Sequence, residues 1–354
     1  MDMNPQKRLV AVQGGNGTIK VMEQDLPELA KGTVLVKVAA SLVSPGTEVG
    51  GWHSFAEQKK KPIPKKEQPF GYSNTGVVIG TADGITEFKI GDRVACIGAG
   101  YALHTDYAVV PHNLCVPLPE NVTFEQGAYA MLFATAMQTL RRGQPEFGEY
   151  TCVVGLGIVG QLTARLYQLA GNYVIGWDIN PARVGLAQKW GIDAVREDEN
   201  GPAATYNFTH GDGLDAAVLA MAGTCDETVD RLVKCMKHTP DGHAVGRIMI
   251  VGWPEFTFGS KSQIGGMNNI DIRRCSRTGA GYHDLEWEQG PDYPPVFMRW
   301  TTKTNLNLCM RLISEGKVNV DGLTTHFIKL AVVEHEINKA LADPDSMLGV
   351  VFKP

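Results

Sequence analysis

Residues 150–171 read YTCVVGLGIVGQLTARLYQLAG, and this stretch decides the fold. YTCVV is a short β-branched, apolar run, GLG a turn, and IVGQLTARLYQLA a run of helix formers closed by Gly171. Gly155, Gly157 and Gly160 therefore lay out G-x-G-x-x-G directly between a strand and a helix, the context that gives this spacing its meaning. The first glycine permits the turn, the second lets a pyrophosphate reach the backbone, and the third lets helix and strand pack closely. The anion then rests on the free amides of the helix start, at Ile158 and Val159. A glycine-rich turn without a ligand is the plainer alternative.

Outward from this loop, YVIGWDIN is a second strand that ends in Asp178, 18 residues beyond Gly160. A carboxylate at that distance accepts hydrogen bonds from both adenosine ribose hydroxyls and repels a 2′-phosphate, so NAD is expected rather than NADP. Arg183 lies near enough to meet a 2′-phosphate, although it also reads as a solvated side chain of a first helical turn. PARVGLAQKWG is a second helix, with Pro181 at its start and Gly191 at its end. DGLDAAVLAM and GRIMIVGW are further buried strands, separated by a helix around residues 227–237; the latter includes Gly252, another cofactor-side candidate. Strand and helix alternating in this way predict a doubly wound parallel sheet.

The flanking sequence has another texture. GTVLVKVAASLVSPG, NTGVVIGTADG, GDRVACIG and HTDYAVVPHNLCVPLP are short β-branched runs between turns, spaced like the antiparallel strands of a small barrel or sandwich. Residues 124–142 read as one helix, with Arg141 and Arg142 suited to the negative end of its dipole. RWTTKTNLNLCMRLISEG and VEHEINKALAD are amphipathic helices, and MLGVVFKP is a final strand. Residues 56–70, with five lysines and three prolines, are the most linker-like part of the chain.

Composition narrows the function. A chain of 354 residues favours two domains, and 44% apolar with 20% charged residues is ordinary for a globular protein. The net charge of −5 is mild and its signs are interspersed, so neither nucleic acid nor membrane is an expected partner. A small-molecule substrate is. No signal-like segment opens the chain and no apolar run approaches the ~20 residues that span a bilayer, which points to a cytoplasmic protein. The seven cysteines are widely spaced and odd in number, so neither a disulfide framework nor a zinc knuckle is implied.

GYSNTGVVIGTADGITEFKIGDRV, LPENVTFEQGAYAMLFATA, VVGLGIVG, GWDIN, GRIMIVG and GLTTHFIKL together resemble the medium-chain dehydrogenase/reductase superfamily over nearly the whole chain. The resemblance implies an α/β protein in which a GroES-like β-rich catalytic domain, residues 1–124 and 290–354, is joined to a Rossmann NAD-binding domain, residues 125–289. It also implies a homodimer or homotetramer. Zinc-dependent members hold their metal with a cysteine, the histidine of a Gly-His-Glu, and a further cysteine or acid. On this chain those positions fall near Pro45 in SPGTE, on Tyr72 in GYSN and near Met131, none of them a zinc ligand. The four-cysteine structural zinc lobe is missing as well. No metal is expected, and the SPGTE and GYSN pair resembles a zinc-free branch that includes bacteriochlorophyllide dehydrogenase-like and sugar or cyclitol dehydrogenase-like proteins.

Removing a hydride from an alcohol also requires its hydroxyl proton to leave; without a Lewis acid a side chain must accept it. The resemblance places the candidates where the metal would be. Glu48 is the first, since a carboxylate shielded from water becomes a stronger base. Tyr72 can donate to a carbonyl oxygen or serve as a relay, Thr47 occupies the place of the family's hydroxyl relay, and His53 would link the site to solvent. Each has a plainer reading: Glu48 as a cap of the following helix or as partner of Arg93 or Arg299, Tyr72 as filler of the space a metal leaves, His53 as a surface residue. His104 is expected to anchor a strand, with Asp106 as its partner. The expected activity is NAD-dependent hydride exchange on a secondary alcohol or ketone, sugar- or cyclitol-like. An enoyl or quinone reductase and a catalytically silent NAD-binding protein are the alternatives.

Overall fold

The structure, a computed structural model, describes residues 5–198 and 200–354. Two compact units share the chain: Met1–Ala134 with Thr278–Pro354, and Thr135–Arg277. These limits differ from the 124/125 and 289/290 boundaries anticipated above. Residues 278–290 belong with the β-rich unit because they are bonded into it. Ala280 bridges to Thr301, the Thr278 and Thr302 hydroxyls meet at 3.0 Å, and the Asn113 amide donates to the carbonyls of Trp287 and Gly290.

In the unit Thr135–Arg277 six parallel strands stand in the order Asp193–Arg196, Tyr173–Asp178, Tyr150–Val154, Ala216–Leu219, Ala244–Ile250, Asn269–Arg274. The first strand in sequence after the helix, Tyr150–Val154, is central, and the order turns back beside it, which is the doubly wound arrangement. Side chains alternate across the sheet. Cys152, Val154, Ile175, Trp177 and Leu219 build one apolar layer while Val153, Val174, Ala216, Val218 and Met249 build the other. Burial on both faces explains why these strands are continuous apolar runs rather than alternating ones.

The strands Asp193–Arg196 and Asn269–Arg274 and the helix Asn200–Phe208 were not anticipated. Asn269–Arg274 reads NIDIRR and leaves most of its side chains exposed, so it lacks the apolar run of an inner strand. The helix opens Asn-Gly-Pro, which reads as a turn, yet proline is tolerated in a first turn whose amides have no intrahelical acceptor.

The β-rich unit is closed by the C-terminal segment. Its larger sheet runs Thr324–Lys329, Gly349–Lys353, Thr33–Val43, Ser73–Thr81, Arg93–Ile97, Cys115–Pro117, with Tyr107–Pro111 also paired to Thr33–Val43. Gly349–Lys353 lies antiparallel to Thr33–Val43 and sets Phe352 opposite Ser41. Val350, Val351 and Phe352 are fully buried, and side chains of this kind each contribute roughly 1.5–3 kcal/mol on leaving water. A smaller sheet pairs Lys7–Gln13 with Ile19–Asp25 and Gln68–Pro69. The lysine-rich segment is therefore held at its C-terminal end, and the Ile63 amide donates to the Gly15 carbonyl on the way.

The single helix expected over residues 124–142 is two, Phe124–Gly127 and Ala130–Gly143. The Ser73 hydroxyl enters at the break, donating to the Ala128 carbonyl at 2.7 Å and accepting from the Met131 amide at 3.2 Å. It supplies the partners that an uninterrupted helix would have found within itself. All seven cysteines are free thiols. No helix among the described residues is long and apolar enough to cross a membrane.

Candidate active site

The three glycines of the loop differ in what their surroundings require. Gly155 has φ +89°, and a side chain there would also meet the Ala220 carbonyl oxygen at 2.8 Å. Gly160 sits so close that an added Cβ would lie 1.8 Å from the Gly155 carbonyl oxygen. Gly157 is the reverse case: its φ of −67° suits any residue, and nothing lies within 4 Å of where a Cβ would be. Packing does not require glycine at that position, so the open space is what an approaching phosphate would use. Gly157 is also the N-cap of the helix Ile158–Leu169 and has no side chain with which to bond the first-turn amides. Ile158 turns its side chain into the core, leaving its backbone, with that of Val159, as the part able to serve an anion. The loop thus fits a dinucleotide pyrophosphate.

Asp178 ends its strand 3% exposed. One carboxylate oxygen accepts from the Leu156 amide at 2.6 Å and the other from the Asn180 amide at 2.7 Å, so the carboxylate is locked beside the glycine loop. Each oxygen keeps a second lone pair for a ribose hydroxyl. Arg183 Nη1 stands 3.8 Å from Asp178 and is partly exposed, a position that fits a solvated companion of the carboxylate. Gly252 is explained by packing, since a Cβ there would lie 2.0 Å from the Met221 carbonyl oxygen.

In the β-rich unit the two motifs SPGTE and GYSN converge. Ser44 precedes the four-residue helix Pro45–Glu48, and its amide donates to Glu48 Oε2 at 2.6 Å. This contact caps the helix in which Glu48 itself lies and not the following one, Trp52–Glu57, as weighed above, and it fixes the carboxylate with 4% of the side chain exposed. Neither Arg93 nor Arg299 pairs with it: Arg93 is spent on the carbonyls of Pro119, Glu120 and Val122, and Arg299 stacks on Trp300. The second donor to Glu48 Oε2 is His104 Nε2, at 3.4 Å, while Oε1 is buried without a partner.

Tyr72 is buried beside this carboxylate. Loss of water and the Glu48 charge push its phenol well above the ordinary tyrosine range, and hydrogen bonding with the Ser44 and Thr47 hydroxyls offsets part of that push. Tyr282, brought in by the C-terminal return, also acts on this phenol; its own oxygen accepts from the Ala99 amide at 3.0 Å. Tyr72 accordingly keeps its proton and serves as a hydrogen-bond donor beside the Glu48 carboxylate. The rest of GYSN holds the frame. Gly71, at φ +122°, leaves room for the His104 amide, which a Cβ would meet at 2.4 Å. The Asn74 side-chain amide donates to the Leu103 carbonyl at 3.0 Å.

Of the four proposed catalytic residues, the structure brings Glu48, Tyr72 and Thr47 together and leaves His53 apart. His53 is exposed and pairs with Asp345 at 3.0 Å. The expected His104–Asp106 pair is not formed either. Asp106 accepts from the Leu9 amide instead, and His104 turns to Ser41 and Glu48. Ser41, Ser44 and Tyr282 join the cluster without having been singled out, because each is an ordinary strand or loop residue until the chain is folded.

The donor set does not fit catalytic zinc. Pro45 carries no ligand, Met131 offers only a buried thioether, Tyr72 holds its proton, and among the described residues no group of three or more His, Cys, Asp or Glu side chains could hold a metal.

Residues 30–120 match the family model of the alcohol dehydrogenase GroES-like domain. The chain is 28% identical over 221 residues to an L-threonine 3-dehydrogenase of Mesorhizobium japonicum, covering 54% of this chain and 62% of that protein. It is 26% identical over 373 residues to a probable D-xylulose reductase A of Aspergillus clavatus, covering 95% of this chain and 94% of the other. Its fold matches an alcohol dehydrogenase from Thermus sp. ATN1 with a TM-score of 0.75 at 19% identity, over 98% of this chain and 99% of that one. The architecture is thus medium-chain dehydrogenase/reductase-like, a GroES-like β-rich region with a Rossmann-like parallel sheet.

Proposed function

We propose that this chain is an NAD-linked oxidoreductase that exchanges a hydride with a secondary alcohol or its ketone without zinc, on a polyhydroxylated, sugar- or cyclitol-like substrate. The observation that carries the reading is the buried Glu48–Tyr72 pair at the positions where the resemblance would put a metal. Bound NAD supplies the hydride acceptor. In oxidation the hydroxyl proton passes to Glu48 while Tyr72 donates a hydrogen bond to the oxygen that becomes a carbonyl; in reduction Tyr72 donates the same hydrogen bond to the carbonyl oxygen and the protonated Glu48 returns the proton. Ser44 and Thr47 hold the phenol in place. Neighbouring hydroxyls on the substrate withdraw electrons and ease loss of the proton without a Lewis acid. Relatives named L-threonine 3-dehydrogenase and D-xylulose reductase support an oxidoreductase of small polar substrates. Asp178, locked beside the glycine loop, supports NAD over NADP.

The test is turnover of a panel of polyols, ketoses, cyclitols, β-hydroxy amino acids and enones with NAD(H) and NADP(H), with and without chelator, alongside elemental analysis. Chelator-insensitive turnover with NAD is expected, and Glu48→Gln and Tyr72→Phe should each lower kcat by about 10²-fold with NADH affinity unchanged. Stoichiometric zinc whose removal abolishes turnover would refute the reading, as would near-normal kcat in both variants.

A further inference from the structure

His104 is a buried titratable group that the proton transfer above does not use. It is fully buried, and its ring joins two distant parts of the chain, with Nδ1 2.8 Å from Ser41 Oγ and Nε2 3.4 Å from Glu48 Oε2. The rings of Phe70 and Phe352 meet it edge-on at 4.7 and 5.0 Å between centroids. Its carbonyl accepts from Ala11 and its amide donates to Phe70, so backbone and ring are both held.

One neutral tautomer satisfies both side-chain contacts: the Ser41 hydroxyl donates to Nδ1, and Nε2–H donates to Glu48. Glu48 Oε2 then receives two donors, from Ser44 and His104, and Oε1 receives none. A buried carboxylate oxygen without a donor is costly, and a substrate hydroxyl would relieve it. The long Nε2 contact is of the kind that tightens when substrate is bound.

We propose that His104 is a positioning residue: it anchors Glu48 Oε2 and thereby commits Oε1 to the substrate hydroxyl. This rests on the reading of Glu48 as proton acceptor. Two measurements on the full chain test it. In ¹⁵N-histidine-labelled protein, the resonances lost in His104→Asn should show Nε2 protonated and Nδ1 accepting, with Nε2 moving in Glu48→Gln and Nδ1 in Ser41→Ala. The opposite tautomer, or an Nε2 indifferent to Glu48→Gln, overturns the proposal. In turnover with the best substrate of the panel, His104→Asn, which retains a donor only near Nδ1, should lower kcat at least about tenfold with KM and NADH affinity little changed. His104→Gln, with an amide near the Nε2 position, should recover most of that loss. Equal loss in both variants assigns His104 to packing and overturns the proposal. Normal kcat in Glu48→Gln defeats the functional reading instead, and the tautomer measurement still decides whether His104 anchors that carboxylate.

Discussion

Replacing Gly157 and Gly160 by alanine, one at a time, separates ligand binding from packing within a single loop. At Gly157 the backbone already has φ −67° and ψ −173°, and the added methyl meets nothing within 4 Å. Two small effects oppose each other there. The substitution removes unfolded-chain entropy, worth about 0.4–1 kcal/mol, and alanine is a poorer N-cap than glycine by about the same amount. The net change stays within roughly 1 kcal/mol, or about 2–4 °C in the melting temperature of a domain this size. The methyl nevertheless occupies the space in which the pyrophosphate should meet the backbone, so NADH affinity should fall at least about tenfold, or 1.4 kcal/mol. At Gly160 the methyl would lie 1.8 Å from the Gly155 carbonyl oxygen, so the backbone must move. Strain of that kind costs about 1–3 kcal/mol or more, and the melting temperature should drop by several degrees. Calorimetry and NADH fluorescence titration read the two effects separately. A Gly157→Ala protein that binds NADH normally would refute the placement of the pyrophosphate.

Asp178→Ala should weaken NAD by about 10- to 100-fold and NADP much less, measured as the ratio of the two dissociation constants; equal effects would remove Asp178 from the ribose site. Ser73→Ala leaves the Ala128 carbonyl and the Met131 amide without their shared partner, and at about 1–3 kcal/mol per buried group the loss should appear in urea unfolding. Burial pushes the phenols of Tyr72, Tyr129 and Tyr167 upward, so the native state keeps protons that the unfolded chain releases near pH ~10. Stability from this source is intact below that pH and declines as pH rises through and beyond it. At pH ~11 these three phenols should stay un-ionised in the native protein, as should Tyr293, which its hydrogen bond to Asp284 pushes up to about 12, and the three buried ones should titrate on adding urea, followed by tyrosinate absorbance.

Motifs whose meaning is local were legible before folding. A helix beginning at Ile158 with a glycine turn ahead of it, and an acid at the end of the next strand, depend on neighbours a few residues away. Resemblance located Glu48, Thr47 and Tyr72 but could not say what surrounds them. His53 was drawn in by its closeness in sequence to Glu48; the helix Trp52–Glu57 carries it to the surface beside Asp345. His104 was assigned Asp106, its near neighbour, whereas the fold supplied Ser41 and Glu48 from 63 and 56 residues away. The broken helix has the same origin, since nothing within residues 124–142 announces a hydroxyl arriving from Ser73.

The sequence by itself determined the parallel sheet, the glycine loop between strand and helix and the absence of zinc-ligating side chains at the three expected positions, because periodicity, turn chemistry and side-chain identity are properties of short segments. The Ser44 tie to Glu48 Oε2 is local, but the second tie, from His104 56 residues away, was decided only by the tertiary structure. Gly349–Lys353 on Thr33–Val43 sets Phe352 against the His104 ring, and hydrogen-bond geometry between groups so far apart in the chain exists only after that long-range pairing has formed.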